Sequence, residues 1–166
     1  MEEFVNEFRA TIDTATKRLE RISEQNSGIP LAEGKWSAKE ILGHLIDSAA
    51  NNHGRFVRAQ LGDDLVFPGY EQNAWVSVQN YNEEPWAQLV SLWRYYNLHL
   101  SHVISTAKGD ARAAQRGRHN LHEIAFRTVA PDQPATLDYL MRDYLVHLRH
   151  HLDQIFAGAS NQNGER

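Results

Sequence analysis

"KWSAKEILGHLIDSAANNHGRFVRAQ", Lys35 to Gln60, is the stretch that settles the helical reading of this chain. Ser37 stands where an N-cap is needed, Glu40 follows three residues later to complete a capping box, and Trp36 is placed to staple against Ile41. Ile41, Leu45, Ala49 and Phe56 then recur at helical spacing, and the helix is predicted to run to about Gln60, before Gly62. His44 lies on the margin of that apolar face, and Ser48, Asn51 and Arg55 follow it along the same margin. A polar line beside an apolar face is what a helix shows when it lines an internal pocket, and an amphipathic boundary gives the same pattern.

Three more segments carry the same period on either side. Before it, Phe4, Phe8, Ile12, Ala15, Leu19 and Ile22 predict a helix over about Glu2 to Gln25, stopped by "QNSGIP". After it, "NEEPW" offers Asn82 as a cap with Pro85 tolerated in the first turn, opening a helix to about Lys108 with Trp86, Leu89, Trp93, Leu100 and Ile104 on one side. The last helix is expected over about Thr136 to Ala157, with Gly158 as its stop and a disordered tail over 158–166. The expectation is an all-α bundle in one domain over 1–157, with long connections at roughly Leu61 to Tyr81 and Gly109 to Ala135. Connections of that length inside a compact domain are usually functional. The first holds Phe67, Tyr70, Trp75 and Tyr81 and is expected to cover a pocket, with Trp75 and Tyr81 as the contacts.

Composition narrows the function. A formal net charge of −4 over 166 residues gives no general attraction to phosphate backbones, so no nucleic-acid partner is expected. The short basic run "ARAAQRGR" around Arg112 to Arg118 reads as a solvated connection. The absence of cysteine removes disulfides, thiolate metal sites and a cysteine nucleophile. The acidic start "MEEFVNEFRATID" is unlike a signal peptide and no apolar run reaches the ~20 residues of a membrane span, so a cytoplasmic protein without membrane partners is expected.

"VHLRHHLDQI", Val146 to Ile155, places three histidines in five positions. At roughly 100° per residue, with His147 as zero, the apolar face is centred near 90°. His151 falls inside that face, His147 on its margin, and His150 near −60° among the outward positions. The inward pair is His147 and His151. A metal needs at least one more ligand, and His44 is available on another helix; two hydrogen-bonded histidines at a bundle margin are the competing reading.

Read together, "GKWSAKEILGHLIDS" and "DYLVHLRHHLDQI" resemble the second-helix and last-helix signatures of the DinB/YfiT-like superfamily, and "FPGYEQNAWVSVQNYNEEPWAQLVSLW" is similar to the pattern that precedes its third helix. The resemblance spans Glu2 to Phe156. It implies a four-helix bundle with up-down-down-up topology and a divalent metal, zinc or nickel foremost, held by His44, His147 and His151. It further implies a metal-dependent enzyme of the thiol S-transferase or hydrolase kind, some relatives using low-molecular-weight thiols such as bacillithiol or mycothiol. Arg55, and Asn51 less directly, would then hold the carboxylate of such a thiol, with Ser48, Trp75 and Tyr81 completing a small-molecule pocket. Asp47 and Asp143, each one turn from a ligand, are expected to accept from ligand N–H groups. The competing class is a non-catalytic metal-binding or structural bundle, and a homodimer is the one protein assembly expected.

Overall fold

The computed structural model describes the backbone of residues 1–164 and the side chains of 1–159. It comprises α1 (Glu2–Leu19), α2 (Glu24–Ser27), α3 (Ala38–Ala59), α4 (Gln72–Gln79), a 3-10 turn (Tyr81–Glu83), α5 (Trp86–Thr106), α6 (Gly109–Ala113), α7 (Leu121–Ile124) and α8 (Leu137–Gly164). Among the described residues there are three isolated bridges and no strand. The long helices α1, α3, α5 and α8 form a four-helix bundle around fully buried Phe8, Phe56, Trp93 and Leu148.

Side-chain contacts give the helix directions. The Trp86 indole N–H donates to the Leu19 carbonyl at 3.0 Å and Arg9 Nε donates to Ser101 Oγ at 2.8 Å, so the end of α1 meets the start of α5 and the two are antiparallel. Arg142 lies over the Phe4 ring and Arg18 over Phe156, which makes α1 and α8 parallel. His44 meets His151, and Phe56 meets Tyr144, so α3 and α8 are antiparallel. The order is therefore up-down-down-up. Two consecutive helices pointing the same way, α3 and α5, oblige the chain to travel back along the bundle, which accounts for the first long connection. The second joins antiparallel helices, whose directions alone would permit a short loop; its length goes into walling the site described below.

The Ser37/Glu40 capping box forms in full, with Ser37 N–H donating to Glu40 Oε2 at 2.7 Å. Such caps contribute about 1 kcal/mol. Other boundaries differ from the sequence reading. Helix α1 ends at Leu19, and Ser23 caps a separate turn, α2, which holds the Glu24 carboxylate against buried Lys39 and the Trp86 amide. The start of α5 is thus capped from a distance by Glu24, with Pro85 at its N-cap, while Asn82 accepts from Ser37 Oγ at 2.8 Å. Helix α8 passes Gly158, which is buried against Leu31 where a Cβ would collide. The tail expected at 158–166 thus begins inside this helix; the side chains of 160–166 and the backbone of 165–166 lie outside the described residues. Arg116 is not solvated: it is buried and donates to the carbonyls of Ala59 and Ala111. No helix among the described residues is long and apolar enough to cross a membrane.

Candidate metal centre

Helix α3 begins at its capping box, so His44 lies two turns in, on the face turned to α8. Antiparallel α8 presents His147 and His151 to it from successive turns. One ring nitrogen from each of the three lies within 4.8 Å of the others. His44 Nε2 and His147 Nε2 are 3.2 Å apart, close to the ~3.3 Å that separates two nitrogens bound at about 2.05 Å to one tetrahedral ion. His150 points outward, its ring against Phe126 and its Nε2 beside the Gln154 amide at 3.1 Å.

The three imidazoles are kept neutral. Burial lowers the His44 pKa to about 4, with the His151 imidazole adding to the effect. His147 falls to about 2 through burial first, then repulsion from His151 and His44. His151 is lowered by burial against an opposing hydrogen bond to Gln154. Neutral imidazole is the ligand form. His151 Nδ1 donates to Gln154 Oε1 at 2.8 Å, which turns the Nε2 lone pair toward the other two rings. Ser48 Oγ lies 3.4 Å from His147 Nδ1, and His44 Nδ1 is buried without a partner.

These depressed values set a pH dependence for the metal-free protein. The unfolded chain takes up protons as pH falls through about 6.5, whereas the folded one resists until near the lowered pKa. The stability that His44 contributes is therefore intact above pH 6.5 and lost on descending toward 4. Urea unfolding should show a loss of about 1–2 kcal/mol from this residue between pH 7 and pH 5, and His44→Gln should flatten the profile.

Neither aspartate plays the part expected of it. Asp47 Oδ1 accepts from Tyr81 O–H and Gln79 Nε2, each at 2.8 Å, while Oδ2 is buried without a partner, so no hydrogen bond joins Asp47 to His44. Burial raises the Asp47 carboxyl pKa against those two bonds. Asp143 accepts from the Phe126 and Arg127 amides at 2.8 and 2.9 Å and from Arg127 Nε at 3.1 Å. Two converging backbone N–H groups and a guanidinium claim it fully, and it acts on the site by seating Phe126 against the His147 ring.

Beside His44 and His147 opens a cavity of about 240 Å³. Ser48 and Arg55 line it, as expected from α3; Asn51 does not, and Asn52, about 100° further round the helix, takes its place. Tyr70 and Gln72 close one side and Ile124 to Phe126 another, so the first connection does cover the pocket. Its contacts are not Trp75 and Tyr81, however. Trp75 is partly exposed and stacks on Tyr70, with ring centroids 4.8 Å apart, and Tyr81 is buried against Gly43 and does not reach the cavity. Gln154 was legible as a polar residue three positions after His151. Phe126 and Tyr70 had no periodic signal to reveal them.

Fold and centre together define a helical-bundle protein with a three-histidine site of the metal-binding kind. The chain belongs to the DinB superfamily, whose model matches residues 7–155. Among solved structures it is similar to YfiT from Bacillus subtilis, described as a probable metal-dependent hydrolase with an unusual four-helix bundle topology, with a TM-score of 0.76 and 15% identity over 98% of this chain and 90% of that one. No curated protein matches it in sequence.

Proposed function

We propose that this chain is a metal-dependent enzyme acting on a small molecule, with hydrolysis as its reaction and a divalent ion, zinc or nickel, held by His44, His147 and His151. The observation that supports it is the convergence of three neutral imidazoles, two of which, His44 and His147, line a cavity of about 240 Å³. Held by three neutral imidazoles, an ion would keep its full charge and would supply Lewis acidity able to acidify a water or a thiol. The chain's own groups do the rest. Gln154 orients His151, Ser48 stands at His147, and Phe126 and Tyr70 limit the entry of bulk water. The Tyr70 phenol, neutral at pH 7 even at the ordinary value near 10 and pushed up to about 12 by burial, is a hydrogen-bond donor for a substrate oxygen.

Transfer of a low-molecular-weight thiol to an electrophile is the finer alternative for the same centre. With no cysteine in the sequence, such a thiol would enter as a co-substrate. The decisive experiment uses protein purified without a histidine tag. Elemental analysis should find one divalent ion per chain, and ester and amide panels should be turned over only by the metal-loaded protein. An electrophile panel with added thiols separates transfer from hydrolysis. Stoichiometric metal without turnover on any panel would leave a binding protein, and no metal would remove the proposal.

A further inference from the structure

Arg55 is buried at 6% exposure and lines the cavity. Among the described residues no carboxylate lies within 4 Å of it. Its Nε is buried with no hydrogen-bond partner. Nη2 donates to the Pro68 carbonyl at 3.3 Å, and Nη1 reaches Asn52 Oδ1 only at 3.5 Å. Neither acid at the cavity wall pairs with Arg55: Asp143 is held by Phe126 and Arg127, and the exposed Glu123 lies against Asn120 and His122. A guanidinium taken out of water without a counter-ion is costly, and proteins retain one where an anion arrives to pair with it. Its planar fork, with N–H groups still free, suits a carboxylate or phosphate.

We infer that the cavity takes an anionic small molecule, whose carboxylate or phosphate pairs with Arg55 while its remainder extends along Asn52 and Ser48 toward the histidines. Asn52 Nδ2 lies 3.3 Å from Ser48 Oγ, which in turn stands at His147, so the three side chains form a polar track from the guanidinium to the metal centre. Asn52 braces the guanidinium at one end of that track. The inference rests on the functional reading above only for what the histidines do; the pairing of Arg55 with an anion needs no metal.

Calorimetric titration of the metal-free full chain at pH 7 with butyrate, monobutyl phosphate and the neutral butyramide tests it. At least one anion should bind ten-fold or more tightly than butyramide, and the two anions distinguish carboxylate from phosphate. Arg55→Gln should reduce that binding ten-fold or more, without affecting butyramide. Asn52→Asp, which places a carboxylate at the guanidinium from within, should weaken anion binding to a similar degree. Equal binding of butyramide and both anions to the unaltered protein would overturn the inference, even if neither variant folds. So would an Arg55→Gln protein that binds the anions as the parent does. Since these titrations omit metal, a failed metal centre leaves their result standing, and metal binding without anion discrimination removes this inference alone.

Discussion

His147→Ala should lower divalent-metal affinity by more than about 100-fold, beyond the 10–100-fold typical of losing a group that merely orients a ligand, while the bundle stays folded. His147 touches both other members of the cluster: its Nε2 faces His44 Nε2 at 3.2 Å and its ring centroid lies 4.6 Å from that of His151. Removing it leaves two protein nitrogens, too few for a stable site. His150→Ala is the matched control on the same helix. Its side chain is exposed and contacts Phe126, Gln154 and the edge of the His151 ring without joining the cluster of three nitrogens, so metal affinity should hold and stability should change by no more than about 0.5 kcal/mol. Metal titration of both variants, with circular dichroism to confirm folding, checks this. Loss of binding in His150→Ala with retention in His151→Ala would mean that the i,i+3 pair is the real one.

Gly43→Ala should destabilise the protein by about 2–3 kcal/mol despite alanine's better helix propensity. A Cβ at position 43 would fall within the Tyr81 ring. That ring cannot swing aside cheaply, because it is buried and its hydroxyl donates to Asp47. Moving it would leave the buried Asp47 carboxylate with the bond from Gln79 alone, its other oxygen already lacking a partner. Gly54, in the same helix, has nothing within 4 Å of an added Cβ, so Gly54→Ala should be stabilising by up to about 1 kcal/mol. Urea unfolding of the two variants should therefore shift in opposite directions. A shift in the same direction would show that helix propensity, not the Tyr81 contact, governs position 43.

The parts legible in the sequence were those with local or periodic causes. The capping box at Ser37 and Glu40 depends on four neighbouring residues and formed as read. The orientation of His147, His150 and His151 followed from helical geometry alone, because α8 is long and has a defined apolar face. Parts that depend on distant residues were not legible. Glu24 caps α5 across 62 positions, which no reading of "NEEPW" could reveal. Asp143 was read as a partner for His147 because it lies one turn away, yet two backbone amides at 126 and 127, brought in by an irregular connection, outcompete the imidazole. Asn51 and Asn52 differ by 100° around α3, and the margin of an apolar face is too broad to choose between them.

The three histidines all stand on α3 and α8, in the body of the bundle, whereas the opposing wall of the cavity comes from Gly69, Tyr70 and Gln72 and from Glu123 to Phe126 in the two connections. His44 and Arg55 are thus held by the packing of α3, and the shape of the cavity opposite them is set by the two connections. Seven positions in those connections can therefore be varied to reshape the cavity while the three histidines and Arg55 keep their places on the helices.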